Sequence, residues 1–306
     1  MPKNKVLIKS SVKYNFLDFL KSQIDNLTFK NLERLSRKHI AEGLPQLNIR
    51  AFDFLGHCIN MQGIYERRSL ELVFKYLKKH SILFSKTVAL DVGANIGNHS
   101  LFFSNYFEKI VAFEPHPLNY KLIELNSSLS SKKNIEIYNS GISDQYGEMT
   151  ISCVDVANSG SFSLNNTPSI SSDTLVIVNT LDNLCNGRHI SLIKIDVEGM
   201  ELNVIKGASN IILQYQPVIL FEQKHSNFSE GNSDVILQLA KLGYTKFGFV
   251  KHAMTPIASR SFLVAFMNGL YFSLFKKLTD EFILTTSNGI LPGDYNFIVA
   301  LPDWAV

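Results

Sequence analysis

The chain has 306 residues, 45% of them hydrophobic and 19% charged, with a formal net charge of +3. That composition supplies ample core and excludes a disordered chain. So small a charge, with scattered lysines and no arginine-rich run, excludes an electrostatic nucleic-acid binder. The length exceeds the roughly 100–200 residues of one typical domain, so one large domain or a domain plus an extension is expected. The three cysteines, Cys58, Cys153 and Cys185, are far apart and odd in number; they offer neither a metal-ligand spacing nor a disulfide framework and fit a reducing compartment. No metal is expected.

Residues 1 to about 80 read as mainly helical. Leu70, Phe74 and Leu77 recur at helical spacing with Lys75, Lys78 and Lys79 between them. The start has basic residues but no apolar h-region, so no secretory signal is read. From Thr87 the character changes, and short apolar runs alternate with amphipathic stretches. The runs are 88–90, 110–113, 135–138, 192–195 and 218–221, with helical patterns over 118–129 and 200–215. Strands apolar on both faces that alternate with helices predict a parallel sheet covered by helices. The organisation expected is a helical extension over 1–80 and an α/β domain over 81–306. Residues 142–178 interrupt the rhythm with two strand patterns, 148–154 and 174–178, around a Ser/Asn-rich stretch containing Pro168; this excursion is expected to shape a substrate mouth. A late strand over 297–300 is expected at the sheet edge, and 226–233 reads as a loop. No stretch is apolar for the ~20 residues a spanning helix needs. The nearest, 262–275, is followed by Lys276 and Lys277 and reads as a buried or rim helix, with an interfacial membrane helix as the minority reading.

The segment VALDVGANIGNHS runs from Val88 to Ser100. An apolar strand ends at Asp91, a turn carries Gly93 and Gly97, and a helix starts near Asn98. Ligands on open α/β sheets bind beyond the carboxyl ends of strands, and glycines there allow close backbone approach. The pattern is D-x-G-x-x-x-G. It lacks the G-x-G step that seats a pyrophosphate, which counts against a nicotinamide dehydrogenase. An acid at the strand end suits S-adenosylmethionine (SAM), which carries a sulfonium and an amino-acid tail and no phosphate. The second strand ends in Glu114-Pro115, about 20 residues beyond the glycine turn, where such folds place an acid on the ribose hydroxyls. The third strand leads into Asn139-Ser140-Gly141; Asn139 is expected either to hydrogen-bond the adenine or to brace the loop.

The fourth strand, LIKIDVEG from Leu192, is unusual. Alternation puts Lys194, Asp196 and Glu198 on one face, and a covered sheet does not bury charges unless they pair or serve a site. Lys194 is expected to neutralise Asp196, leaving Glu198 at the mouth beside Gly199 with no partner nearby in sequence.

Together, DVGANIGNHS from Asp91, AFEPHP from Ala112, NSGISDQYG from Asn139 and LIKIDVEGMELNVIKGA from Leu192 resemble the FkbM-type SAM-dependent methyltransferase family, over roughly 54–223. The lead-in Gly63, Tyr65 and Glu66 also looks like the family's approach to the first strand. The resemblance implies a Rossmann-like seven-stranded sheet with a reversed last strand, SAM as donor, and O-methylation of a hydroxyl on a polyketide, sugar or lipid, with surface glycans the leading substrate class. Asp91, Gly93 and Gly97 match its donor loop and Glu114 its ribose acid; Ala94, Asn95, Pro115, Asn139 and Gly141 beside them complete the expected cofactor site. Asp196 and Glu198 match its fourth-strand acids. Removal of a hydroxyl proton calls for a general base; Glu198 is the first candidate and Asp196 the second, with His99 and His225 in reserve. The alternatives are a SAM-fold scaffold without activity and a membrane-associated interaction protein. The expected setting is cytoplasmic, with peripheral membrane contact through 262–277.

Overall fold

The computed structural model describes residues 15–79, 84–153, 162–165, 174–229, 231–252 and 279–305. The segment 262–277 and Pro168 lie outside them. The chain divides into two compact units between Leu44 and Pro45. The first contains α1 (Phe16–Ala41), which opens on a capping box: Asn15 Oδ1 accepts from the Asp18 N–H and Asp18 Oδ2 from the Asn15 N–H, both at 3.0 Å.

The second unit starts with α2 (Phe54–Gln62) and α3 (Arg67–Lys79). The apolar stripe of α3 is the one legible in the sequence: Leu70, Val73, Phe74 and Leu77 are buried. The Phe74 ring packs on Phe102, Phe103 and Tyr106, at centroid distances of 5.2, 5.8 and 4.6 Å. Residues 45–80, read from sequence as part of the extension, therefore lie in the same unit as the sheet.

The strands and helices that follow alternate: β1 (Val88–Val92), α4 (Asn98–Phe103), β2 (Lys109–Phe113), α5 (Pro117–Leu129) and β3 (Ile135–Tyr138). An excursion holds β4 (Gly141–Ile142), β5 (Gly147–Cys153), β6 (Phe162–Asn165) and β7 (Thr174–Asn179). After α6 (Leu181–Leu184) come β8 (Ile190–Ile195), α7 (Glu201–Lys206), α8 (Ser209–Tyr215) and β9 (Val218–Gln223). A short hairpin of β10 (Phe228–Ser229) and β11 (Asn232–Ser233) leads to α9 (Asp234–Lys241), β12 (Lys246–Lys251), β13 (Glu281–Thr286) and β14 (Tyr295–Leu301). The main sheet has the order β13-β12-β14-β9-β8-β1-β2-β3. β12 would lie parallel to β9, but β14 runs antiparallel between them, so the reversed strand is present, and β13 extends the edge beyond the seven strands expected. The excursion forms its own four-stranded sheet, β4-β7-β5-β6.

Two expectations are corrected. The strand over 297–300 is interior: Ile298, Val299, Ala300 and Leu301 are all buried because β9 and β12 flank them. The helix over 200–215 is two helices, broken at Gly207-Ala208. There the Gly207 carbonyl accepts from the Asp182 N–H at 3.0 Å, and a Cβ on Gly207 would lie 2.0 Å from the Ser143 oxygen.

Candidate functional site

The chain leaves β1 for β2 and β3 on one side, then returns to β8 and β9 on the other. The carboxyl ends of β1 and β8 thus form the switch point where open sheets bind ligands. A cleft opens there. Its lining includes Gly93, Asn95, Glu114, Pro115, Asn119, Ser140, Gly141, Ile142, Asp196, Val197 and Glu198.

The floor is an ion network. Asp91 has no exposed surface; its Oδ2 accepts from Ser100 Oγ at 2.6 Å and its Oδ1 lies 3.1 Å from Lys194 Nζ. Lys194, 1% exposed, also donates to the Gly93 carbonyl at 2.8 Å and lies 3.6 Å from Asp196. Burial alone would pull the ammonium down, but Asp91 and Asp196 together outweigh it and hold Lys194 above its ordinary value. Asp91 therefore braces the turn from beneath, and Lys194 pairs with it more closely than with Asp196.

Above this floor the turn is shaped by positive φ at Gly93 (+74), Asn95 (+52) and Gly97 (+88). A Cβ on Gly93 would lie 1.9 Å from the Asp196 carbonyl oxygen, and one on Gly97 would lie 2.6 Å from Ile123 Cγ1. These glycines let β1 meet the end of β8 and α4 meet α5. Ala94 is buried against Ala112 and Ile123. Glu114 is 5% exposed: Oε2 accepts from the Asn95 N–H at 2.8 Å and Oε1 from the His116 N–H at 2.9 Å. Burial pushes its carboxyl up to about 7 against those bonds. The Asn139 amide donates to the carbonyls of Glu114 and Pro115 at 2.9 and 3.0 Å, so its NH₂ braces the loop. Gly141 is buried in β4 beside the cleft.

On the far side lies a group the sequence reading missed. β8 ends at Ile195, and Glu198 sits beyond it at φ +50, so strict alternation stops before Glu198. The Glu198 carboxylate is ion-paired with Lys224, a partner 26 residues further along the chain that nearby sequence does not show. Lys224 Nζ also lies 3.6 Å from Glu222, near the end of β9. Carboxylate oxygens of Asp196, Glu198 and Glu222 lie within 4.8 Å of one another, and the cation beside Glu198 and Glu222 is the Lys224 ammonium. Burial, with Asp196 and Glu198 nearby, pushes Glu222 up to about 8. Tyr65 borders the same space: burial first, then Glu66 and Asp196, raises its hydroxyl. Glu66, raised by burial, lies 3.3 Å from the Nε2 of buried His99, so His99 is a packed partner of Glu66. His225 is exposed, and its N–H donates to Asp294 at 2.8 Å. Glu222 and Lys224 could have been found in sequence as charges at the end of an otherwise apolar fifth run.

A largely parallel sheet in which β14 and the edge strand β13 are reversed, with a switch-point cleft that has a glycine turn on one side and acids on the other, defines a Rossmann-like methyltransferase. Residues 91–246 match the family described as the methyltransferase FkbM domain, and the chain belongs to that family. The chain is also similar to the hexuronic acid methyltransferase AglP of Haloferax volcanii, at 28% identity over 160 residues; the match takes in 51% of this chain and 63% of that protein, less than two thirds of its length. Among solved structures it is similar to methyltransferase FkbM from Methylobacillus flagellatus (20% identity, 45% of this chain, 32% of that chain, TM-score 0.32). Precorrin-6y C5,15-methyltransferase from Geobacter metallireducens is a second (13% identity, 76% and 88%, TM-score 0.39). The cofactor is SAM. The cleft fits it, with the Glu114 carboxylate and the Gly93 turn on one side for hydroxyls and the Asp196 and Glu198 carboxylates on the other for a cationic group. Among the described residues no helix is long and apolar enough to cross a membrane.

Proposed function

We propose that this protein transfers a methyl group from SAM to a hydroxyl oxygen of a sugar, in a surface glycan or a related metabolite. The observation that carries the reading is the convergence on one cleft of Glu114, the Gly93–Asn95 backbone and the acids at the end of β8. SAM supplies a methyl on a positively charged sulfur, poised for in-line displacement. The protein's work is then alignment. Glu114, on the cleft wall, accepts from the ribose hydroxyls, as a carboxylate can take more than the bonds it receives from Asn95, His116 and Asn119. Pro115, Ser140 and Gly141 border the base. Asp196 faces the donor's amino group, and Asp91 and Lys194 hold the turn and Asp196 in register. Support for a sugar acceptor is the likeness to a hexuronic acid methyltransferase. The setting that suits such a substrate is cytoplasmic, with membrane contact through 262–277 as the way to a lipid-linked glycan.

The test has two stages. Calorimetric titration should show SAM binding and no NADH binding; the reverse would remove the donor assignment. Mass spectrometry of glycans from cells with and without the protein should then show one methyl group lost, and an unchanged glycan profile would remove the acceptor class.

A further inference from the structure

Three carboxylates within 4.8 Å of one another cannot all be ionised cheaply, because like charges at such separation push one proton back on. Which of the three keeps the proton follows from what surrounds each. Asp196 has the Lys194 ammonium 3.6 Å away. Glu198 has the Lys224 ammonium in direct contact. Glu222 shares Lys224 only at 3.6 Å and is half-buried at the end of β9. The groups facing it are Asp196, Glu198 and Glu201 from the segment after β8, Lys224 from its own strand's continuation, and Tyr65 from before α3. Three of these five are carboxylates, and the Tyr65 hydroxyl is raised and stays neutral. Asp196 and Glu198 line the donor cleft, and a Glu222 carboxylate oxygen lies within 4.8 Å of theirs.

Resting on the donor-cleft reading above, we infer that Glu222 is the catalytic base of the site: it holds a proton in the free protein, gives that proton to solvent when the donor's sulfonium enters beside the acid trio, and so stands as a carboxylate only when a methyl group is present. Its burial-raised value near 8 agrees with the first part of this. An opposite charge within a few ångströms lowers a carboxyl by roughly 1–3 units, enough to ionise it near neutral pH. The transfer then balances. The acceptor oxygen forms its bond to the methyl carbon, the carbon–sulfur bond breaks with its electron pair going to sulfur, and the hydroxyl proton passes to the Glu222 carboxylate. The proton returns Glu222 to its resting state, so the base is reset without a further partner.

The test is calorimetry on the full chain at pH 7, with SAM and with S-adenosylhomocysteine, each in two buffers of different ionisation enthalpy. S-adenosylhomocysteine keeps the ribose and the amino-acid tail but has a neutral sulfur. SAM should release more protons than S-adenosylhomocysteine, by an amount approaching roughly one per molecule bound, and the isosteric Glu222→Gln should close that difference. No difference in the unmodified protein overturns the inference, as does a difference that survives Glu222→Gln or one closed instead by Glu198→Gln. Absence of binding by either ligand is a separate outcome: it overturns the donor-cleft reading itself and this inference with it.

Discussion

Glu114 holds two roles on one carboxylate. It accepts two backbone N–H groups that fix the left-handed turn at Asn95 and the exit from β2, and it lines the cleft where the donor is proposed to bind. Losing charge-assisted hydrogen bonds costs about 1.5–3 kcal/mol each, so Glu114→Ala should weaken SAM on the order of tenfold or more, measured by calorimetry; a change below twofold would remove Glu114 from the donor site. The sign of the pH dependence follows from burial. With its carboxyl raised to about 7, Glu114 is protonated below that pH and charged above it, and the ribose hydroxyls favour the charged form. Affinity for SAM and for S-adenosylhomocysteine alike should fall as pH drops below 7, by up to about tenfold per unit. Glu114→Gln should flatten that dependence. The dependence assigned to Glu222 differs, because it requires the sulfonium and is seen with SAM alone.

Between elements, the donor turn is held by a strap that runs from β8 to β1. Lys194 reaches Asp91, the Gly93 carbonyl and Asp196 at once, so Lys194→Met leaves the fully buried Asp91 without its cation. Breaking one partner of a buried pair typically costs about 3–5 kcal/mol; chemical denaturation should read a loss of that size, and adding Asp91→Asn should restore part of it. A larger loss in the double variant would contradict the pairing. The glycines separate two other effects. At Gly93 a Cβ meets the Asp196 backbone, whereas at Gly199, also at positive φ (+99), it meets nothing within 4 Å. Gly199→Ala should cost only backbone strain, roughly 1–2 kcal/mol, and Gly93→Ala that strain plus an overpacking penalty of about 1–3 kcal/mol. Equal losses in denaturation would mean that the β1–β8 approach relaxes freely. By the same clash, Gly93→Val would disturb the sheet before it obstructs a ligand. The sequence showed these positions because period, apolar runs and terminal acids are local signals. It did not show what Gly93 touches, that Glu198 meets Lys224, or that Glu222 joins the acids, because those contacts form between chain ends of neighbouring strands. β13 and the interior place of β14 were hidden for a related reason. Nothing in a run such as 297–300 says which strands will stand on either side of it.

For the molecule as a whole, the question is where the donor-binding unit begins. The sequence pattern changes near residue 80, where the helical stretch gives way to strands, and the boundary expected there follows local character. Burial argues for an earlier start. Leu70, Val73 and Leu77 have no exposed surface and Phe74 only 4%, and Phe74 lies among the rings of α4 and the chain after it. The Tyr76 ring packs at a tilt against Phe282 of β13, centroids 4.6 Å apart, and the Tyr65 N–H and carbonyl both bond to the Asn98 side chain at the start of α4, at 2.9 and 3.2 Å. Burying one large apolar side chain contributes about 1.5–3 kcal/mol, so the four on α3 together match much of the 5–15 kcal/mol by which a typical domain is stable. Two truncations follow. A chain of residues 45–306 should fold and bind SAM within about twofold of the full chain, whereas 81–306 should lose cooperative unfolding and bind no SAM, because α3 leaves an uncovered apolar face and α4 loses Asn98's partner. Circular dichroism melts and calorimetry on both truncated chains read the result directly. A cooperative melt and intact binding in 81–306 would return the boundary to residue 80, and loss of binding in 45–306 would make α1 part of the working unit.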